Sequence, residues 1–123
     1  MRILETKIHG YLDYIVGVAL ILLPIVAGWN LDSAASVIPM VLGLAAIGYS
    51  FFTDYELGVS PMISMKTHLT LDFMSGVFLA LSPWIFGFAN EVWAPHLIVG
   101  LFEIGASLIT KMKPHKQLSH TVM

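Results

Sequence analysis

Five side chains in this sequence carry types and spacings that could do acid–base or ion chemistry. His9 and Asp13 stand four residues apart, and so do His68 and Asp72. On a helix, that spacing puts both members of a pair on one face. Two imidazoles and two carboxylates brought together offer a proton relay or a divalent-cation site. The same four groups also suit a plainer role: an Asp in the first turns of a helix is stabilised by the positive end of the dipole, and a nearby His can neutralise it. Glu103 is the fifth. It lies eight residues before Lys111 (111 − 103), roughly 12 Å along a helix rising about 1.5 Å per residue. A carboxylate at such depth in an apolar segment is a functional-site candidate by default. The plainer reading is a neutral Glu103 hydrogen-bonded to Tyr49, Ser50 or Ser107. A lone transition-metal site is not expected, because such sites normally show tighter ligand spacing on facing helices, and no metal or cofactor is assigned.

The elements that must position these groups are unusually apolar. Of 123 residues, 57% are hydrophobic and 11% charged, and the mean hydropathy is +0.81. A soluble domain runs nearer 45–50% apolar and about 25% charged. Four stretches, about 8–28, 33–53, 67–87 and 92–110, read apolar on all faces, and about 20 such residues cross a bilayer core. A soluble bundle would keep a polar face on each helix. The connections at 30–32 and 88–91 are tight, which makes consecutive helices antiparallel neighbours. The middle connection, 54–66, is longer and carries Gly58 and Pro61.

Charge and composition exclude several functions. Six basic against eight acidic residues give a net charge of −2, so no basic face exists for nucleic acid. With no cysteine, disulfides, thiolate metal sites and thiol redox chemistry drop out. No Gly-rich phosphate loop, G-x-S-x-G elbow or HExxH motif occurs, and the chain is not expected to be an enzyme. The basic residues Arg2, Lys7, Lys66, Lys111, Lys113 and Lys116 all fall at the N-terminus, the middle loop or the C-terminal tail. By the positive-inside rule these three regions are cytoplasmic. Trp29, Trp84 and Trp93 then sit at the outer ends of the spans, and Tyr11, Tyr14, Tyr49 and Tyr55 near the inner ends, both suited to interfacial belts.

The chain also repeats itself. A shift of 59 superposes His9 on His68, Asp13 on Asp72, Gly17 on Gly76, Pro24 on Pro83 and Gly28 on Gly87. A shift of 57 superposes Gly43 on Gly100, Gly48 on Gly105, Ser50 on Ser107 and Thr53 on Thr110. Glu103 breaks the pattern, since Ala46 takes its place in the first copy. Each copy is a two-helix hairpin, repeat 1 at about 7–53 and repeat 2 at about 66–110, joined by a loop at 54–65 and followed by a basic tail at 111–123. Two spans per copy imply a parallel repeat about an axis along the membrane normal. The glycines permit close helix approach, at Gly43 and Gly100 on one side and Gly48 and Gly105 on another.

The third span ends in Leu81-Ser82-Pro83-Trp84-Ile85-Phe86-Gly87-Phe88, whose counterpart is Leu22-Leu23-Pro24-Ile25-Val26-Ala27-Gly28-Trp29. The Ser-Pro-Trp triplet in a repeated hairpin resembles the SPW-repeat family of small prokaryotic membrane proteins, with a degenerate first copy. That resemblance implies a membrane location and transfers no activity. Pro83 cannot bond the carbonyl four residues back, Ser82 can return a hydroxyl to it, and Gly87 can close the helix in the left-handed region. Trp84, Phe86 and Trp93 could line an outward lipid or ligand site, or simply anchor the hairpin. The expected fold is all-α: a four-helix transmembrane bundle of two parallel-repeat hairpins in a prokaryotic inner membrane. The expected role is structural or accessory, with the lipid bilayer, a second copy or a partner membrane protein as neighbours. The alternative is proton or cation handling by Asp13, Asp72 and Glu103.

Overall fold

The computed structural model describes residues 1–114. Four helices account for most of them: α1 (Thr6–Ala27), α2 (Ala34–Phe51), α3 (Met65–Ile85) and α4 (Ala94–Ile109). Each coincides with one apolar stretch of the sequence. α1 and α2 are long and apolar enough to cross a membrane, and α4 is a shorter apolar helix. α3 has 21 residues, but Lys66, His68 and Asp72 make its first turns polar. The expected tail beyond Pro114, with His115, Lys116 and His120, lies outside the described residues.

The helices pair as two hairpins, α1 with α2 and α3 with α4, and α2 carries further contact to α3. In each hairpin the two helices cross at a glycine pair. A Cβ on Gly43 would stand 2.5 Å from the Gly17 carbonyl oxygen, and one on Gly100 would stand 2.6 Å from that of Gly76. Gly48 and Gly105 face open space instead, so the helices approach closely on one side only and not on the two sides expected. At the tryptophan end, Gly28 and Gly87 both take φ 74° and terminate α1 and the turn after α3. The Leu79 carbonyl, which Pro83 cannot engage, accepts the Ser82 hydroxyl at 2.7 Å.

At the opposite end, the chain closes on itself. Residues before α1 run beside the end of α4: Leu4 N–H donates to Ile109 O at 2.9 Å, and Lys111 N–H donates to Leu4 O at 2.9 Å. Arg2 donates to the carbonyls of Ser107 and Thr110 at 2.9 and 2.7 Å, which satisfies part of the open C-terminus of α4. The connection after α2 folds back under the bundle, with Asp54 N–H donating to Ile63 O at 2.8 Å. Its Tyr55 is fully buried against Met65 and Leu69.

Polarity is inverted relative to a protein in water. Thr6, His9, Ser50, Thr53, His68, Asp72, Ser82, His96, Ser107 and Thr110 are buried, while Ile15, Val41, Leu44, Met74, Leu81, Ile98 and Leu101 are exposed on all four helices. Exposed apolar surface of that extent marks an interaction with something other than water. Polar groups turned to a bundle interior are what a lipid environment demands.

Candidate functional site

The end of the bundle away from the tryptophans gathers four of the five groups singled out by spacing. His9 and Asp13 come from the first turns of α1, His68 and Asp72 from those of α3. One ligand atom from each lies within 4.8 Å of every other. The two pairs interlock. His9 Nε2 stands 3.0 Å from Asp13 Oδ1 and 2.7 Å from Asp72 Oδ2. His68 Nε2 stands 3.0 Å from Asp13 Oδ2 and 3.2 Å from Asp72 Oδ2. Each imidazole therefore faces both carboxylates, one on its own helix and one on the other hairpin.

Two threonines decide which ring nitrogen carries hydrogen. Thr110 Oγ1 donates to Ala106 O at 2.5 Å, and Thr53 Oγ1 donates to Tyr49 O at 2.6 Å. A hydroxyl has one proton to give, so each can only accept from the imidazole beside it. His9 Nδ1–H thus donates to Thr110 Oγ1 at 2.7 Å, and His68 Nδ1–H to Thr53 Oγ1 at 2.8 Å. Both Nε2 atoms are left pointing at the carboxylates. Each histidine is held by a threonine of the other hairpin.

Tyrosines hold the carboxylates. Tyr55 donates to Asp13 Oδ2 at 2.7 Å, and Tyr49 donates to Asp72 Oδ1. Tyr14 donates to the Leu57 carbonyl at 2.9 Å, leaving only Tyr11 among the four substantially exposed. The expected inner tyrosine belt is thereby corrected: three of the four hydroxyls bond inside the protein. Burial first, then the charge and hydrogen bond of Asp13, push the Tyr55 hydroxyl above the ordinary phenol range, so it remains a donor.

Glu103 stands apart from the quartet. Its Oε1 is buried without a hydrogen-bond partner among the described residues. Of the partners anticipated for it, Tyr49 bonds Asp72 and Ser107 bonds Ile104 O at 2.7 Å. Glu103, Asp13, Asp72 and His9 together border a cavity of about 30 Å³, room for a water, which needs some 10–15 Å³. Among the described residues, the tryptophan end carries no comparable cluster. Trp84, Phe86 and Trp93 are about half exposed there, with the Trp84 and Trp93 ring centroids 6.4 Å apart.

A model of the SPW repeat domain matches residues 7–110. The chain belongs to the SPW repeat family. Neither a curated protein nor a solved structure matches it. The family's Ser-Pro-Trp triplet, Ser82-Pro83-Trp84, lies at the far end of α3 from the quartet, where its observed contacts terminate and pack a helix.

Sequence reasoning missed several participants. Thr53 and Thr110 appeared there only as a repeat match, and their hydroxyls acquire meaning from partners 15 and 101 residues away. His96 gave no signal by spacing. It is buried, donates from Nε2 to Ala35 O at 2.9 Å, and stacks on Trp29 with centroids 5.6 Å apart. Its carbonyl partner fixes hydrogen on Nε2, the opposite assignment from His9 and His68.

Proposed function

We propose that this SPW-repeat protein is a multi-pass, non-enzymatic integral membrane protein with a structural or accessory role. Both termini and the middle connection lie in the cytoplasm, and the membrane is the inner membrane of a prokaryote. The observation that carries the role is the closure of the quartet. Its imidazoles and carboxylates face one another and engage Thr53, Thr110, Tyr49 and Tyr55, so the hairpins are clamped together. The surface open to partners is apolar. It includes a cleft of about 340 Å³ between α1 and α4, bordered by Ile15, Leu23, Pro95, Ile98 and Phe102. A second copy or a partner membrane helix suits that chemistry. The test is cross-linking in native membranes through a cysteine at Ile98, with the size of the purified protein measured alongside. A captured second chain is expected. A strictly monomeric protein that captures no partner overturns the reading.

A second reading has one observation in its favour. The buried Glu103 oxygen borders a water-sized cavity shared with Asp13 and Asp72, an arrangement suited to passing protons or cations. Proteoliposome flux by the wild type and by Glu103→Gln decides it: flux equal to empty liposomes for both ends the conduction idea.

A further inference from the structure

We propose that the His9–Asp13–His68–Asp72 quartet is a divalent metal site for one first-row cation, with Zn²⁺ the best-fitting occupant. With hydrogen fixed on Nδ1 of both rings by the threonines, the quartet without further protons holds two neutral imidazoles and two carboxylates, a net charge of −2. Each Nε2 lone pair then faces carboxylate oxygens at 2.7–3.2 Å, a repulsive contact unless positive charge lies between. One divalent cation supplies it and leaves the buried site neutral.

The donor geometry favours the ion at one position. His68 is fully buried, and its Nε2 has no hydrogen-bond partner although two carboxylate oxygens lie within 3.2 Å. Neither oxygen is on the ring's N–H axis. A proton there bonds neither oxygen well, whereas an ion can take ligands off that axis. Tetrahedral zinc with ligand bonds near 2.0–2.1 Å places its ligands roughly 3.3 Å apart. The imidazole–carboxylate separations need only open by a few tenths of an ångström, while the four ligand atoms as a set, within 4.8 Å of one another, draw in. Two imidazole nitrogens with two carboxylates suit zinc and its first-row neighbours rather than calcium or magnesium. Thr53 and Thr110 fill the role that outer partners of metal-bound histidines usually have, fixing the tautomer and aiming Nε2 inward. Tyr49 and Tyr55 do the same for the carboxylates. The spacing within each helix points to a divalent-cation site only if the two pairs converge, and the ligands do close across α1 and α3.

The test uses the full chain without a polyhistidine tag, in detergent, titrated with Zn²⁺ and with Co²⁺. Expected are one equivalent bound per chain and the strong visible absorption of four-coordinate Co²⁺. Asp72→Asn abolishes binding. Thr110→Val, which keeps the shape of the residue, weakens it about 10–100-fold. His115→Gln with His120→Gln leaves it unchanged. Where Asp72→Asn fails to fold, the wild-type Co²⁺ spectrum and the Thr110→Val affinity decide. The proposal is overturned by no Zn²⁺ binding, by the weak spectrum of six-coordinate Co²⁺, by affinity unchanged in Thr110→Val, or by binding lost with the tail histidines. Neither cross-linking nor flux enters these readouts, so failure of the metal site and failure of the accessory reading are separate results.

Discussion

At the scale of single residues, the quartet's hydrogen positions follow from its neighbours. Backbone carbonyls of Ala106 and Tyr49 take the threonine protons, which obliges His9 and His68 to donate from Nδ1. Ala35 O obliges His96 to donate from Nε2. Nitrogen-15 NMR of labelled histidine should therefore show hydrogen on Nδ1 in His9 and His68 and on Nε2 in His96. A ring of the quartet lacking hydrogen on Nδ1 contradicts the arrangement. The energetic centre is Asp72, which faces both imidazoles and accepts from Tyr49. Removing its charge leaves buried positive charge with one counter-ion in place of two, and breaking a buried pair costs about 3–5 kcal/mol. Thermal denaturation in detergent should show Asp72→Asn destabilised by about that much, and an unchanged midpoint would show that the quartet does not hold the hairpins.

At the scale of elements, each hairpin depends on one close crossing of backbones. A methyl at Gly43 meets the Gly17 carbonyl, whereas Gly48, five residues on in the same helix, has nothing within 4 Å of the corresponding position. The pair is an internal control. Gly43→Ala should lose about 1–3 kcal/mol through overpacking, and Gly48→Ala should gain up to about 1 kcal/mol from better helix propensity. Equal effects at both positions would place the crossing elsewhere. The helix ends are legible in the sequence alone, since Pro24, Gly28, Pro83 and Gly87 act on their immediate neighbours. The choice between Gly43 and Gly48 is not. Both sit in equally apolar surroundings along the chain, and only the partner helix separates them.

At the scale of the whole molecule, an apolar exterior around a polar interior is stable where lipid replaces water. The clasp of Arg2, Leu4 and Lys111 brings both ends of the described chain together, and the Thr6 hydroxyl, donating to Glu56 at 2.7 Å, ties them to the middle connection, so a single orientation accounts for every basic residue within it. Because the chain has no cysteine, single-cysteine labelling is clean. In intact cells an impermeant maleimide should reach Asn30→Cys and Asn90→Cys but not Met62→Cys, and disrupted cells should label all three. The reverse pattern overturns the orientation drawn from charge.

The sequence by itself determined the four helices, their pairing into repeated hairpins and the placing of His and Asp on common helix faces, because hydrophobic runs, Pro–Gly punctuation and a four-residue spacing act through neighbours on the chain. Tertiary structure decided that the two His–Asp pairs interlock across hairpins as well as closing within each helix. It also decided that Thr53, Thr110, Tyr49 and Tyr55 complete the site, and that Tyr49 and Ser107, two anticipated partners of Glu103, are engaged elsewhere. Those outcomes depend on groups as far apart as 63 and 101 residues, and such partners are chosen by how two hairpins pack, which no local spacing encodes.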